Sequence, residues 1–221
     1  AAGRGGNGGV AIFGDGGNGG SGGSMIGAIS ANQALAGGNG GFPINFGVGS
    51  DGGTGGTLTL SAGSLTVNGG LVTTAGGVTT SGVLGTAGVD GAHGTINLNG
   101  GTFTLDGGEV FTGSYTRTAG TFNHNNGKLT VAGGAYNNNL SFLTINGPSA
   151  ADLPTLVLDE GATAPGLTGS VIVGQSNRGR LDVVGSSSIN AGNFFVVGQT
   201  GFSDGTLEVN SGGTVSAVNR F

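Results

Sequence analysis

The chain of 221 residues has no cysteine, no tryptophan, one lysine (Lys128) and four prolines. Without cysteine there is no disulfide framework and no thiol chemistry. Four prolines and no Gly-X-Y period exclude a collagen triple helix. Only 8% of residues are charged, against about 25% in ordinary domains. Disorder driven by charge repulsion is therefore disfavoured. The five arginines are scattered and the net charge is −5, so there is no basic stripe for nucleic acid. No run of 18 apolar residues occurs, so no transmembrane helix is read. Ala1 to Val10 has neither a basic start nor an apolar stretch, so no signal peptide is read there, and the last residues, up to Phe221, read as an interrupted repeat.

What the chain does have is glycine, 55 residues of it. Each interior glycine costs a helix about 1 kcal/mol relative to alanine, so helical bundles are disfavoured. Residues 1–56 hold glycine clusters such as GRGGNGG and GDGGNGGSGGS between short apolar pieces, among them Val10–Phe13 and Phe42–Phe46. This segment reads as a leader, a cap or a packed assembly segment. The regular return of apolar residues favours packing over a bare linker.

From Gly56 a short repeat begins, giving a second region over residues 57–221. GTLTLSA, GSLTVNG, GLVTTAG and GVTTSGV start at Gly56, Gly63, Gly70 and Gly77. GTINLNG, GTFTLDG and GEVFTGS start at Gly94, Gly101 and Gly108. Leu58 and Leu60 lie two apart, so both face one side of a strand, with Thr57 and Thr59 on the other. Leu65/Val67, Ile96/Leu98, Phe103/Leu105 and Leu129/Val131 repeat this. Asn68-Gly69, Asn99-Gly100 and Asp106-Gly107 supply residues that tolerate positive φ at a corner. An antiparallel meander of hairpins accepts such units, but arms this short make a poor open sheet. Three units of seven or eight residues make one triangular coil of about 21–26 residues, which a solenoid stacks.

A longer repeat supports the solenoid. Val173-Gly174-Gln175 matches Val197-Gly198-Gln199, and Leu181-Asp182-Val183 matches Leu207-Glu208-Val209 after a two-residue insertion of the kind a corner loop tolerates. Leu181, Val183, Leu207 and Val209 are expected inward, Asp182 and Glu208 outward. The phrase V-G-Q-x-x-x-G-x-L-x-V, carried by Val173 to Val183 and again with the insertion by Val197 to Val209, resembles repeats in passenger regions of bacterial autotransporters and related surface proteins. The resemblance covers residues 56–221. It implies an all-β fold, a right-handed parallel β-helix, displayed outside a bacterial cell.

Chemistry is sparse. The two histidines, His93 at a corner and His124 inward or at a strand end, are read as structural. Asp159-Glu160 are adjacent and point apart, whereas Asp106 and Glu109 could meet at a corner. Asp15, Asp51, Asp90 and Asp204 sit in glycine-rich loops and read as solvated turn residues; the nearest calcium-loop match, Gly47 to Asp51, is incomplete. No catalytic, cofactor or metal residue is assigned. Thr57/Thr59, Thr102/Thr104 and Thr116/Thr118 raise a flat threonine array for ice or carbohydrate, with Tyr115, Tyr136, Phe194 and Phe202 as the aromatics to inspect. The expected function is structural or adhesive, outside the cell. The expected partner is a second copy at the solenoid ends, with a cell-surface or polysaccharide ligand as a further expectation and no nucleic acid. The last coil has no lysine or proline, the usual edge blockers.

Overall fold

The structure, a computed structural model, describes residues 6–7, 20–21, 25–26, 52–62, 64–69, 71–78, 89–201 and 203–219. Among these there is no helix. The strands are β1 (Met25–Ile26), β2 (Thr57–Leu60), β3 (Ser64–Val67), β4 (Leu71–Thr73), β5 (Thr95–Thr112) and β6 (Ser114–Ala132). They continue as β7 (Tyr136–Asn137), β8 (Leu143–Ile145), β9 (Thr155–Asp159), β10 (Thr163–Ala164) and β11 (Val171–Val173). The last are β12 (Arg178–Val183), β13 (Ser188–Ala191), β14 (Phe195–Val197), β15 (Asp204–Val209) and β16 (Thr214–Ala217). Every strand pair whose register is described is parallel. The chain divides into two compact units, one of Ala1–Ile26, Gln33–Thr59 and Val72–Ile96, the other of Gly27–Asn32, Leu60–Leu71 and Asn97–Phe221.

In the first unit, backbone packs on backbone. Gly52 and Gly55 N–H donate to the carbonyls of Val89 and Ala92 (2.9 and 2.8 Å), so these segments run in parallel. Gly91 and Gly94 donate to Gly77 and Thr74 (2.8 and 2.7 Å), an antiparallel relation, and Gly77 donates to Gly53 (2.8 Å). The bonds recur every third residue, the period of a polyproline-II backbone, which has no internal hydrogen bonds and must find partners outside itself. A Cβ on Gly76 would overlap the Gly91 carbonyl oxygen, and one on Gly55 would overlap that of Thr74. GLVTTAG begins with strand β4 as expected, Val72 facing inward, but the strand ends at Thr73, and from Thr74 the backbone joins the glycine bundle. Most of the unit from Gly77 lies outside the described residues.

In the second unit, seven-residue sides are plain. β5 buries Ile96 and Leu98, then Phe103 and Leu105, then Val110 and Thr112. Its bends fall at Gly101 (φ 69°) and at Gly107 and Gly108 (φ 146° and 69°), a backbone region that glycine enters without steric cost. β6 bends at Gly120 and Gly127 (φ 79° and 83°). A Cβ on Gly120 would lie 2.6 Å from the Gly101 carbonyl oxygen and one on Gly127 would lie 2.7 Å from that of Gly108, so corner sits on corner 19 residues apart. This circuit is shorter than the 21 residues expected.

From β8 onward the chain visits three sheets in fixed order, three times over. β8, β11 and β14 form one sheet, β10, β13 and β16 another, and β9, β12 and β15 continue the long sheet from β6. Leu129, Leu156, Leu181 and Leu207 form one row, separated by 27, 25 and 26 residues. The longer circuits come from longer corners. At one of them, Ala162 N–H donates to the Asp159 carbonyl (3.0 Å), Ser187 to Val184 (3.0 Å) and Gly213 to Asn210 (2.9 Å). Both central residues have positive φ in each case: Glu160 and Gly161, Gly185 and Ser186, Ser211 and Gly212. These are type I′ turns. The V-G-Q phrase has an equally physical reading. Gly174 and Gly198 take φ of 69° and 71° at the next corner, and Gly179 and Gly205 leave room for the carbonyl oxygens of Ile145 and Val173.

Leu58, Leu60, Leu65, Val67, Ile96, Leu98, Phe103, Leu105, Leu181 and Val183 are buried as expected. Leu207 is only half-buried and Val209 is 42% exposed. They belong to the inward rows, but no strand beyond β15 covers them among the described residues.

The glycine bundle makes a direct prediction. Gly76→Ala should destabilise the protein by about 3 kcal/mol or more, since an added methyl meets main chain rather than a movable side chain. Gly69→Ala, where a Cβ meets nothing within 4 Å, should change stability by less than about 0.5 kcal/mol. Chemical denaturation of the two variants checks this.

Candidate functional surfaces

The residues nominated from sequence are scattered rather than gathered. His93 Nδ1 accepts the Gly76 N–H at 2.8 Å and serves the glycine bundle. Glu109 pairs with Lys128, 19 residues on, at 2.9 Å. The Asp159 carboxylate accepts the N–H of Glu160 (2.7 Å), which sits at φ 53° in its turn. Asp204 pairs with Arg178 at 3.4 Å, and Asp90 is exposed. Asp15, Asp51 and Phe202 lie outside the described residues. Among the described residues no group of three His, Asp or Glu side chains could hold a metal ion.

Two expectations about binding faces are corrected. Tyr115 and Tyr136 are buried, at 0% and 4% exposure, and offer no surface. The threonines do not continue as a flat array. Ser64 and Thr66 register with Thr102 and Thr104, but in β6 Asn123 Nδ2 donates to Thr104 Oγ1 (3.4 Å), and Thr118 Oγ1 donates to Asn99 Oδ1 (2.9 Å). Asparagine breaks the array because its planar amide stands above the level of a threonine methyl.

The tyrosines belong to an interior cluster that sequence reasoning missed. Phe103 and Phe122 rings lie 5.0 Å apart, Tyr115 and Phe122 5.1 Å, and Tyr115 stacks on Tyr136 at 5.5 Å. Phe122 in turn stacks on His124 at 5.7 Å. The signal was available: Tyr115, Phe122 and His124 alternate on the same inward positions that hold Leu and Val elsewhere. Burial holds both phenols protonated well above the usual tyrosine range, opposed by the Arg117 charge, and for Tyr115 the neighbouring Tyr136 adds to it. The Tyr115 hydroxyl has no hydrogen-bond partner among the described residues. Burial also lowers His124 to about 4, against the favourable contact of Nε2 with the Gly127 carbonyl at 3.1 Å. In the neutral ring that contact makes Nε2–H the donor.

On the outside, the three sheets differ in chemistry. The long sheet carries an ionic ladder. Arg180 Nε lies 2.8 Å from the Asp182 carboxylate and Arg180 Nη2 pairs with Glu208. The hydrogen bond that Arg180 donates to Asp182, then the charges of Asp182 and Glu208, hold the guanidinium in its charged form against its partial desolvation. Edge strand β15 is thus not free of charge, as its lack of lysine suggested. Its two carboxylates are neutralised by arginines of β12. The sheet of β10, β13 and β16 presents Thr163, Ser188, Asn190, Thr214 and Ser216 outward, uncharged and polar. The sheet of β8, β11 and β14 presents Phe142 and Phe194, 51% and 40% exposed. At the last circuit, β14, β15 and β16 each stand at the edge of their sheet. Their inward side chains Val197 and Val209 are 40% and 42% exposed, with Leu207 and Val215 half-buried between them.

Two measurements follow from the interior cluster. The folded-state pKa of His124 is lowered, so its stabilisation is complete above the unfolded value near 6.5 and is lost as pH falls toward 4. The loss should reach roughly 3 kcal/mol at the acid end, and His124→Leu should flatten that part of the stability–pH curve. Tyr115→Phe should raise stability by about 1 kcal/mol, because it removes a buried hydroxyl without a partner. A clear loss in thermal unfolding would mean that the hydroxyl is satisfied.

No helix among the described residues is long and apolar enough to cross a membrane. No protein-family model, curated protein or solved structure matches the chain.

Proposed function

We propose that the chain is an extracellular structural or adhesive protein of a bacterial surface, a right-handed parallel β-helix whose stacked circuits act as a stiff rod and join copies end to end. The observation that carries this reading is the fixed order of three parallel sheets, repeated with the same inward rows from β8 to β16. A stack of near-identical circuits is rigid because each contacts only its neighbours through a continuous ladder. The autotransporter-like V-G-Q phrases and the absence of thiols suit display outside the cell. The side chains in this reading carry no catalysis and no cofactor.

End-to-end contact draws on the last described circuit: among the described residues no further strand pairs with β14, β15 and β16 on one side, and the row Val197, Leu207, Val209 and Val215 is half-covered there. Open edges template another strand, and a head-to-tail contact that does not close into a ring grows into a filament. The carboxylates of β15 are already paired with Arg178 and Arg180, so an incoming strand meets little net repulsion. The protein should sediment as concentration-dependent oligomers and show rods by electron microscopy. Val209→Lys, which sets a charge in the open row, should shift the population to monomer with the circular dichroism spectrum unchanged. A wild-type chain that stays monomeric at high concentration would refute the end-to-end contact.

A further inference from the structure

Beside the sheet of β8, β11 and β14 lies an open cleft of about 330 Å³, lined by Asn137, Asn139, Leu140, Ser141, Pro165 and Gly166. We infer that this cleft, together with the exposed phenyl rings of Phe142 and Phe194, binds a neutral oligosaccharide.

The polar groups of the cleft are partly committed and partly free. Asn137 Oδ1 accepts the Asn139 N–H at 3.0 Å, which leaves the Asn137 amide NH2 as a donor. Asn139 Nδ2 donates to the Thr118 carbonyl at 3.3 Å, which leaves Asn139 Oδ1 as an acceptor. The Ser141 hydroxyl makes no hydrogen bond among the described residues and both donates and accepts. Sugar hydroxyls also donate and accept, so an amide donor, an amide acceptor and a hydroxyl are a matching set. Leu140, 37% exposed, and Pro165 add the apolar wall that a sugar ring's C–H face needs. No charged residue lines the cleft. A phosphate or uronate would find no cationic partner there, and desolvating such a charge without one is costly.

The aromatics extend the cleft. Leu143 N–H donates to the Ser170 carbonyl (3.0 Å) and Val171 N–H to that of Phe194 (2.9 Å), so Phe142, Ser170 and Phe194 stand in register one position before the strands. Their neighbours Leu143, Val171 and Phe195 point inward and are buried, which turns Phe142 and Phe194 outward. Two strand steps separate them, roughly 10 Å, with only a serine between. That spacing presents two ring faces to alternate units of an extended sugar chain. Phe142 follows Leu140 and Ser141 in the chain, and Gly169 N–H holds the Ser141 carbonyl at 2.6 Å, so cleft and platform are tied together. The inference deepens the adhesive reading by naming a ligand class. The site faces sideways, so it does not depend on end-to-end contact.

The test uses the full chain and titrates cellohexaose, maltohexaose and chitohexaose by calorimetry, with polygalacturonate as the acidic control. At least one neutral hexaose should bind in the sub-millimolar range. Asn137→Ala and Phe142→Ala should each weaken it about tenfold or more. Phe194→Ala should weaken the hexaose but not the matching disaccharide. Should either of the first two variants melt early, Ser141→Ala and Asn139→Gly, which keeps the left-handed backbone at φ 49°, must show the same weakening. Binding of none of the three hexaoses, binding that survives these variants, or equal competition by polygalacturonate overturns the inference. Rods without sugar binding would overturn this site alone. Sugar binding without rods would overturn end-to-end contact alone.

Discussion

Backbone hydrogen bonds from each strand to its equivalent one circuit later hold every other feature in place. In a parallel ladder the bonds are evenly spaced, so a residue at one level faces the same kind of residue at the next. Leu129, Leu156, Leu181 and Leu207 share one row for that reason. The same constraint places Asp182 over Glu208 and creates a like-charge clash that Arg180 resolves by pairing with both. Isolated surface pairs contribute little. Here the guanidinium removes a repulsion that the ladder itself imposes.

The first unit meets the same demand for backbone partners without side chains. Its glycine segments bond across to other segments every third residue, and the spacing is so close that a methyl group has no room. The second unit keeps side chains inside and lets glycine turn the corners. Glycine therefore has two separate roles: close approach at Gly52, Gly55 and Gly76, and positive φ at Gly101, Gly120 and Gly174. His93 joins the first role, since its ring nitrogen accepts a backbone N–H that the bundle leaves unpaired.

The interior is not uniform. Most circuits are filled by Leu, Val and Ile, but between β5 and β7 the space holds Phe103, Tyr115, Phe122, His124 and Tyr136. Short circuits of seven-residue sides stack ring on ring. The cost is a buried hydroxyl without a partner among the described residues and an imidazole whose charged form is disfavoured. The outward chemistry divides by sheet into an ionic ladder, a neutral polar face and an aromatic face. Such a division gives one scaffold different contacts on different sides.

Much of this was legible in the amino-acid order. Period-two alternation marked the inward pairs from Leu58 to Val183, and the glycine spacing of seven marked the corners at Gly101 and Gly108. The V-G-Q repeat located equivalent strands with the correct insertion, because a parallel ladder forces equivalent residues into register. These are local or periodic signals, and they decided that the chain is all-β with parallel strands. Tertiary structure decided what depends on the neighbour across the gap: Lys128 beside Glu109, Asn123 interrupting the threonine column, Tyr115 and Tyr136 stacked inside, and Phe142 and Phe194 exposed two strand steps apart outside. No period in the sequence encodes those contacts, because each depends on how many residues one circuit contains, and that number ranges from 38 between β3 and β5 to 19 between β5 and β6 and 28 between β8 and β11.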